Sequence, residues 1–108
     1  MGNGAADTGL RERIAGLMGQ VRGELAELVA IPSVADPRQF PPEECARAAQ
    51  WVLGAFAGAG FSDARLAEMA DGSQAVLGTR PGPDPDAPTV LLYAHYDVQP
   101  PQIGRAHV

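Results

Sequence analysis

The sequence has no lysine, a single cysteine and no cluster of basic residues, and the last two of these shortages limit what the chain can do. All eight basic residues are arginine, which we attribute to a compositional bias toward Ala, Gly and Arg rather than to function. The formal net charge is −5. A chain of this charge without a basic patch is not expected to bind nucleic acid or an acidic membrane surface.

The single cysteine, Cys45, cannot form a disulfide bond within the chain. No apolar core of a signal peptide follows the amino terminus, so a reducing, cytoplasmic location is expected. The length of 108 residues is that of one small domain, able in principle to bury a core.

The first organised stretch is predicted to be an amphipathic helix over residues 10–30. Asp7 or Thr8 is expected to cap its start, and Pro32 is expected to stop it. Its charged face excludes a membrane-spanning helix. Its apolar residues recur at steps of three and four, which predicts one face turned toward the core. They are Leu10, Ile14, Leu17, Val21, Leu25 and Leu28.

A second helix is predicted over residues 43–59, after a polar, proline-rich loop. Gly60 is expected to be the glycine just beyond its end, with Phe61 folding back in a Schellman-type contact. Cys45 is interpreted as a small core residue rather than a catalytic thiol, because no suitably placed histidine would activate it. The predicted apolar face comprises Cys45, Ala48, Trp51, Val52, Ala55, Phe56 and Ala59.

A β-hairpin is predicted next, with strands over residues 64–69 and 73–79. Asp71 and Gly72 between them are a strong hairpin turn signal. Residues 80–88 are dense in Pro, Gly and Asp and predict an exposed loop.

Residues 89–94 contain the continuous apolar run Val-Leu-Leu-Tyr, without polar alternation. Such a run predicts a strand buried on both faces, in a sheet covered by helices. The order helix, helix, hairpin, loop, buried strand is the opening of an α/β domain, which is the fold class that we predict.

His95 and Asp97 follow this predicted strand and stand two residues apart. In an extended segment both side chains leave on the same side, and Pro100 and Pro101 prevent further strand pairing. A neutral imidazole is a good zinc ligand, and a nearby carboxylate can accept its other ring N–H. The spacing also fits a second interpretation, in which His95 caps a strand end and Asp97 is solvated in a turn, because a zinc site needs three or four protein ligands.

The residues around the pair resemble a known metal-binding motif. His-Tyr-Asp-Val-Gln-Pro at residues 95–100, preceded by an apolar strand, is similar to the first metal motif of a zinc-dependent amidohydrolase family. That family contains carnosinase-like dipeptidases, acetylornithine deacetylase, succinyl-diaminopimelate desuccinylase and aminoacylase. The sequence Tyr-Asp-Val-Gln-Pro resembles the dipeptidase branch of the family most. Ala94 stands where the family commonly has glycine. Leu-Val-Ala-Ile-Pro-Ser-Val at residues 28–34 independently resembles the end of the family's first helix.

The resemblance implies the N-terminal part of a three-layer αβα zinc-peptidase catalytic domain over residues 1–101. In the family two zinc ions share a bridging water, with cobalt or manganese as alternative metals, and an acidic residue acts as general base. By resemblance His95 is a ligand to one zinc, and Asp97 is the motif carboxylate behind it, counted among the catalytic residues. The other ligands, the general base and a lid domain through which many members dimerise are expected beyond Val108.

The implied activity is hydrolysis of a dipeptide by a zinc-activated water. Two alternatives stay open. The first is a related deacylase of N-acyl amino acids, or an aminopeptidase, of the same family. The second is a non-catalytic small α/β binding module in which His95 is structural.

The last residues, 102–108, resemble no part of the family. Ile-Gly-Arg-Ala-His-Val at residues 103–108 is what the common sequencing-adapter string ATC GGA AGA GCA CAC GTC encodes, and a preceding CAG would supply Gln102. We therefore expect this tail to be adapter read-through, the alternative being a genuine divergent tail. His107 is not counted as a ligand on either interpretation.

Overall fold

The computed structural model describes residues 4–100, and the chain divides after Ala30 into two units. The first unit contains helix α1, Gly4–Ala30. The second contains helix α2, Pro42–Gly58, and two strands, β1, Arg65–Glu68, and β2, Gln74–Leu77. The described residues thus form a mixed α/β structure with a two-stranded antiparallel sheet. The predicted tail at 102–108 lies outside the described residues, as does Pro101.

Helix α1 begins earlier than predicted, and the expected cap is wrong. Asp7 and Thr8 lie inside the helix, where Asp7 occupies the first turn and suits the positive end of the helix dipole. The helix ends at Ala30, as expected from Pro32, because the residue before a proline is pushed out of helical geometry. Within the described residues, neither helix has an apolar stretch long enough to cross a bilayer.

The apolar stripe of α1 is largely exposed, whereas the sequence predicts that it is buried against a core. Leu10, Ile14, Leu17, Val21 and Leu25 are exposed, and Leu28 is half-buried. The reason is physical: α1 is the only element of its unit in the described residues, and a single helix has no surface of its own against which to bury a stripe.

Helix α2 starts at a proline pair, one residue before the predicted start. Pro41 is the extended residue before the helix and Pro42 is its first helical residue, a position where the missing N–H costs nothing. Glu43 and Glu44 fill the first turn, where their charges favour the helix dipole.

The end of α2 is a complete Schellman motif, as predicted. Gly60 has a φ of +98°, the left-handed conformation that glycine adopts without strain. The Gly60 N–H donates to the Ala57 carbonyl at 3.2 Å and the Phe61 N–H to the Phe56 carbonyl at 3.1 Å. The rings of Phe56 and Phe61 pack with centroids 5.4 Å apart, which supplies the apolar contact of the motif.

The predicted hairpin forms, with shorter strands than expected. Leu66 pairs with Val76 in an antiparallel register, and α2 packs against both strands. The turn is closed by a bond from the Gly72 N–H to the Met69 carbonyl at 3.0 Å, and Gly72 has a φ of +88°. This is the three-residue connection that places glycine in the left-handed position. The Asp71 carboxylate accepts hydrogen bonds from both the amide and the hydroxyl of Ser73.

The core of the second unit is small and centres on the segment after α1. Its buried apolar residues are Ile31, Val34, Ala48 and Ala49. The predicted apolar face of α2 is only half-buried at the larger residues, and Ala59 is exposed. Ala49 was not predicted to be buried.

The buried strand predicted over residues 89–94 is wrong for the described chain. These residues form no strand, and the side chains of 90–93 are between 76% and 89% exposed. A strand is buried on both faces only when it has neighbouring strands and covering helices. The two strands present pair with each other, so within residues 4–100 this apolar run has no sheet to join.

Candidate metal-binding site

Residues 31–34, here called the Ile-Pro-Ser segment, turn sharply directly after α1. The Ser33 N–H donates to the Ile31 carbonyl at 2.7 Å, and the Val34 N–H donates to the Pro32 carbonyl at 2.8 Å. These are two successive γ-turns, and the φ that proline imposes suits the inverse form at Pro32. The turns consume the backbone N–H of Ser33, which is fully buried.

The Ile-Pro-Ser segment binds directly to residues 95–98, here called the His-x-Asp segment. The Ser33 hydroxyl donates to the Tyr96 carbonyl at 3.2 Å, across a sequence separation of 63 residues. The Val98 N–H donates to the Ser33 carbonyl at 3.1 Å. The two sequence motifs that carry the family resemblance are therefore in contact with each other.

A further bond ties the His-x-Asp segment to the hairpin. The Tyr96 hydroxyl donates to the Gln74 carbonyl, at the first residue of β2, with an oxygen–oxygen distance of 2.6 Å. Burial is the main cause that raises the pKa of the Tyr96 hydroxyl, and the nearby ionisable groups of Cys45 and Asp97 raise it further. Tyr96 therefore remains a neutral hydrogen-bond donor at physiological pH.

The side chains of the His-x-Asp segment alternate between two sides. Tyr96 and Val98 are half-buried, whereas His95 and Asp97 are exposed. This is the period of two expected of an extended backbone. The side chains of the pair, at 74% and 50% exposure, thus share the accessible side.

His95 and Asp97 form a hydrogen-bonded pair. The His95 Nδ1 lies 3.0 Å from the Asp97 Oδ1 and 3.2 Å from the Asp97 carbonyl oxygen. Both oxygens are acceptors, so a bond to either requires a proton on Nδ1. In the neutral imidazole this leaves a lone pair on Nε2, the atom that can bind a metal.

The pair fits one position of a metal site, and the described residues supply no more. Within residues 4–100, no three His, Cys, Asp or Glu side chains gather into a group that could hold a metal ion. Because a zinc ion takes three or four protein ligands, His95 can be one ligand of a site completed by other residues. Asp97 then serves by fixing the imidazole, since its Oδ1 already accepts the Nδ1–H.

Cys45 lies near the pair but is not suited to nucleophilic chemistry. Burial raises the pKa of its thiol, and the negative charges of Asp97 and Glu44 raise it further. The Cys45 Sγ lies 3.5 Å from the Val34 carbonyl oxygen and donates to it. A protonated, hydrogen-bonded thiol is a poor nucleophile. Cys45 is half-buried and lies outside the buried core, so its prediction as a core residue is met only in part.

A groove of about 380 Å³ lies on the other side of the His-x-Asp segment. Its lining includes Cys45, Gln74 and Tyr96, but neither His95 nor Asp97. The groove therefore does not open onto the side chains of His95 and Asp97.

Sequence reasoning singled out the pair but missed the residues that hold it. The sequence marks Ser33 only as part of a motif and Tyr96 only as a neighbour of His95, and it predicts no contact for either. A signal did exist for Ser33, which stands between Pro32 and Val34 in an apolar stretch, since a polar side chain that is buried must find hydrogen-bond partners. Nothing in the sequence pairs Tyr96 with Gln74.

Comparison of the chain with protein-family models, with curated proteins and with solved structures finds no match.

Proposed function

We propose that this chain is the N-terminal part of the catalytic domain of a zinc-dependent dipeptidase. The proposal rests on the resemblance of residues 28–34 and 95–100 to the two motifs of that family. It is supported by the contact between them, because Ser33 binds both Tyr96 and Val98. The mixed α/β structure of the described residues is compatible with the opening of a three-layer αβα domain.

The observation that carries the proposal is the geometry of the pair. Asp97 accepts the Nδ1–H of His95, which leaves Nε2 unprotonated in the neutral ring, and the imidazole is exposed. Among the described residues the hydrogen-bond partner of the His95 ring is Asp97, through Nδ1, and the ring is not packed into a core. The exposure of His95 therefore favours a ligand over the alternative of a structural histidine in a non-catalytic binding module.

In this proposal His95 holds one of two zinc ions through Nε2, and Asp97 keeps the proton on Nδ1. Bound zinc lowers the pKa of a water and polarises the carbonyl of the scissile amide. Asp97 contributes by orienting the ring and raising its basicity. The remaining ligands and the general base would come from residues other than those described.

The substrate in this proposal is a dipeptide, and hydrolysis of an N-acyl amino acid by a related deacylase is the alternative. The longer protein would dimerise through a lid domain. It would act in the cytoplasm, and the observation that supports this location is the single cysteine. Neither a nucleic acid nor a membrane is proposed as a partner, given the charge of −5.

The test begins with sequencing the gene past codon 101 and expressing the longer chain. Zinc per chain and turnover of dipeptides and N-acyl amino acids are then measured for the unsubstituted protein and its variants. His95→Ala is expected to remove zinc, because it deletes a metal bond. Asp97→Asn is expected to weaken affinity or activity by about 10–100-fold. Asp86→Asn makes the same chemical change in an exposed loop and should alter neither quantity.

The 108-residue chain by itself is expected to hydrolyse no dipeptide when zinc is added, because one imidazole and its carboxylate cannot assemble the site. Turnover by this chain that His95→Ala abolishes would contradict the assignment of the missing ligands. In the longer protein, normal zinc content and turnover in His95→Ala would end the metallopeptidase proposal. Preference for N-acyl amino acids over dipeptides would replace the dipeptidase by the deacylase.

A further inference from the structure

Ser33 is the one buried polar residue of the described chain, with 0% of its surface exposed. A buried polar group needs hydrogen-bond partners, and each of the three groups of Ser33 has one. Its N–H is bonded within the turn at Pro32. Its hydroxyl and its carbonyl both go to the His-x-Asp segment.

The two bonds from Ser33 enclose Asp97. The hydroxyl binds the carbonyl of Tyr96 before it, at 3.2 Å, and the Ser33 carbonyl binds the N–H of Val98 after it, at 3.1 Å. This is the bonding of a residue opposite Asp97 in a parallel ladder, except that the hydroxyl replaces the backbone N–H. The replacement is required because the turn at Pro32 already uses that N–H.

These two bonds, here called the Ser33 clamp, fix the register of the His-x-Asp segment against Ser33. With Tyr96 and Val98 held inward, His95 and Asp97 must lie on the exposed side. A slip by one residue would turn the pair inward and bring Tyr96 and Val98 out. Ser33 thereby determines the side on which the pair stands and supports the 3.0 Å contact between Nδ1 and Oδ1.

We propose that Ser33 is a positioning residue for the His95–Asp97 pair. By holding the peptide groups on both sides of Asp97, it keeps the carboxylate where it can accept the Nδ1–H of His95. The imidazole is then fixed in the tautomer that leaves Nε2 bare. The chemical use of that tautomer rests on the proposed function, whereas the clamp itself does not.

The test uses the full chain with ¹⁵N-labelled histidine and no metal, in a His107→Gln background that leaves one imidazole. At a pH of about 9, above the ordinary histidine range, the ¹⁵N shifts report which nitrogen carries the proton. In the His107→Gln chain that keeps Ser33, the neutral His95 imidazole is expected to carry its proton mainly on Nδ1. Ser33→Ala is expected to lose this preference, and Ser33→Thr, which keeps a hydroxyl, is expected to retain it.

The matched control is Ser73→Ala. It also deletes a serine hydroxyl, but one that binds Asp71 in the hairpin turn rather than the His-x-Asp segment. It is expected to leave the imidazole shifts unchanged. An equal change of the imidazole shifts in Ser73→Ala would show that the tautomer does not depend on the bonds of Ser33, and would overturn the proposal.

Amide exchange in the unsubstituted chain keeps the proposal falsifiable if Ser33→Ala does not fold. The Val98 amide, bonded to Ser33, is expected to exchange about five- to tenfold more slowly than that of an unstructured chain, as one hydrogen bond would give. An unprotected Val98 amide would overturn the proposal. So would a folded Ser33→Ala chain with unchanged imidazole shifts.

The two proposals fail separately. If the zinc proposal is wrong, His95→Ala leaves the zinc content of the longer protein unchanged, while the metal-free shifts still respond to Ser33→Ala. If the clamp is wrong, the shifts ignore Ser33 while His95→Ala still removes zinc.

Discussion

Tyr96→Phe tests how firmly the candidate site is tied to the hairpin. The substitution removes a single oxygen, the donor of the 2.6 Å bond to the Gln74 carbonyl, and leaves the ring in place. A typical intramolecular hydrogen bond contributes about 0.5–1.5 kcal/mol net to stability. Gln74 is half-buried rather than buried, so we do not add the full cost of a buried acceptor left without a partner. We therefore expect a loss of about 1 kcal/mol, or roughly 4–8 °C in Tm for a domain of this size.

Tyr93→Phe is the matched control. Tyr93 is the only other tyrosine and is 87% exposed, so the same chemical change there should stay within about 0.5 kcal/mol. Urea unfolding followed by the fluorescence of Trp51, the single tryptophan, reports on the second unit for both variants. Equal stability of the two variants would contradict the argument that the hydroxyl tethers the segment.

The same pair of variants gives a pH test. Burial raises the pKa of Tyr96, so the unfolded chain loses this proton first as the pH rises. The stability linked to Tyr96 is therefore fully present below the ordinary tyrosine pKa of about 10 and is lost as the pH rises toward the folded value. The stability difference between the unsubstituted chain and Tyr96→Phe should narrow above that pH, and a difference that widened would show the sign to be wrong.

Two further predictions concern the scaffold. Gly60→Ala places a side chain at a φ of +98° and should lower the free energy of unfolding in urea by about 1–2 kcal/mol. Gly54→Ala lies inside α2 with open space around it and should raise that free energy by up to about 1 kcal/mol. An unchanged stability of Gly60→Ala would refute the helix end described above. The hydrogen bond from the Thr79 N–H is the largest cause that lowers the pKa of Asp63. The contribution of the Asp63 carboxylate to folding stability is therefore present at neutral pH and is lost as the pH falls below about 4. Asp63→Asn should flatten the acid limb of a stability–pH curve, and an unchanged limb would argue against the bond.

The elements that could be predicted from the sequence are those whose signals lie in adjacent residues. The end of α2 at Gly60 and Phe61 follows from a glycine and an apolar residue in consecutive positions. The hairpin turn at Asp71 and Gly72 depends on a left-handed glycine at one position. Such signals need no information from distant parts of the chain, and the structure confirms both.

The predictions that were wrong concern burial, which depends on partners elsewhere in the chain. The apolar run at 89–94 indicates that these side chains favour burial, but the sequence does not say which strands would cover them. The stripe of α1 presents the same difficulty, because a helical period predicts an apolar face without its partner. In both cases the pattern predicts a buried element, and the described residues contain no neighbour that buries it.

The candidate site divides in the same way. The spacing of His95 and Asp97 was sufficient to predict that they share one side, because two residues apart in an extended chain is a local relation. The anchors were not predictable from spacing, since Ser33 acts across 63 residues and Tyr96 across 22. Only the general requirement that a buried hydroxyl be bonded pointed toward Ser33.

The distribution of these anchors makes the two members of the pair unequal. Asp97 is held on both sides, by the bonds of Ser33 to Tyr96 and Val98. His95 follows the exposed run at 89–94, and within the described residues no backbone hydrogen bond holds it. Among residues 4–100, the hydrogen bonds that orient its ring come from Asp97, through the carboxylate and the carbonyl. The carboxylate therefore determines the histidine geometry here, and strand partners for 89–94 would share that task by fixing the backbone of His95 from the other side.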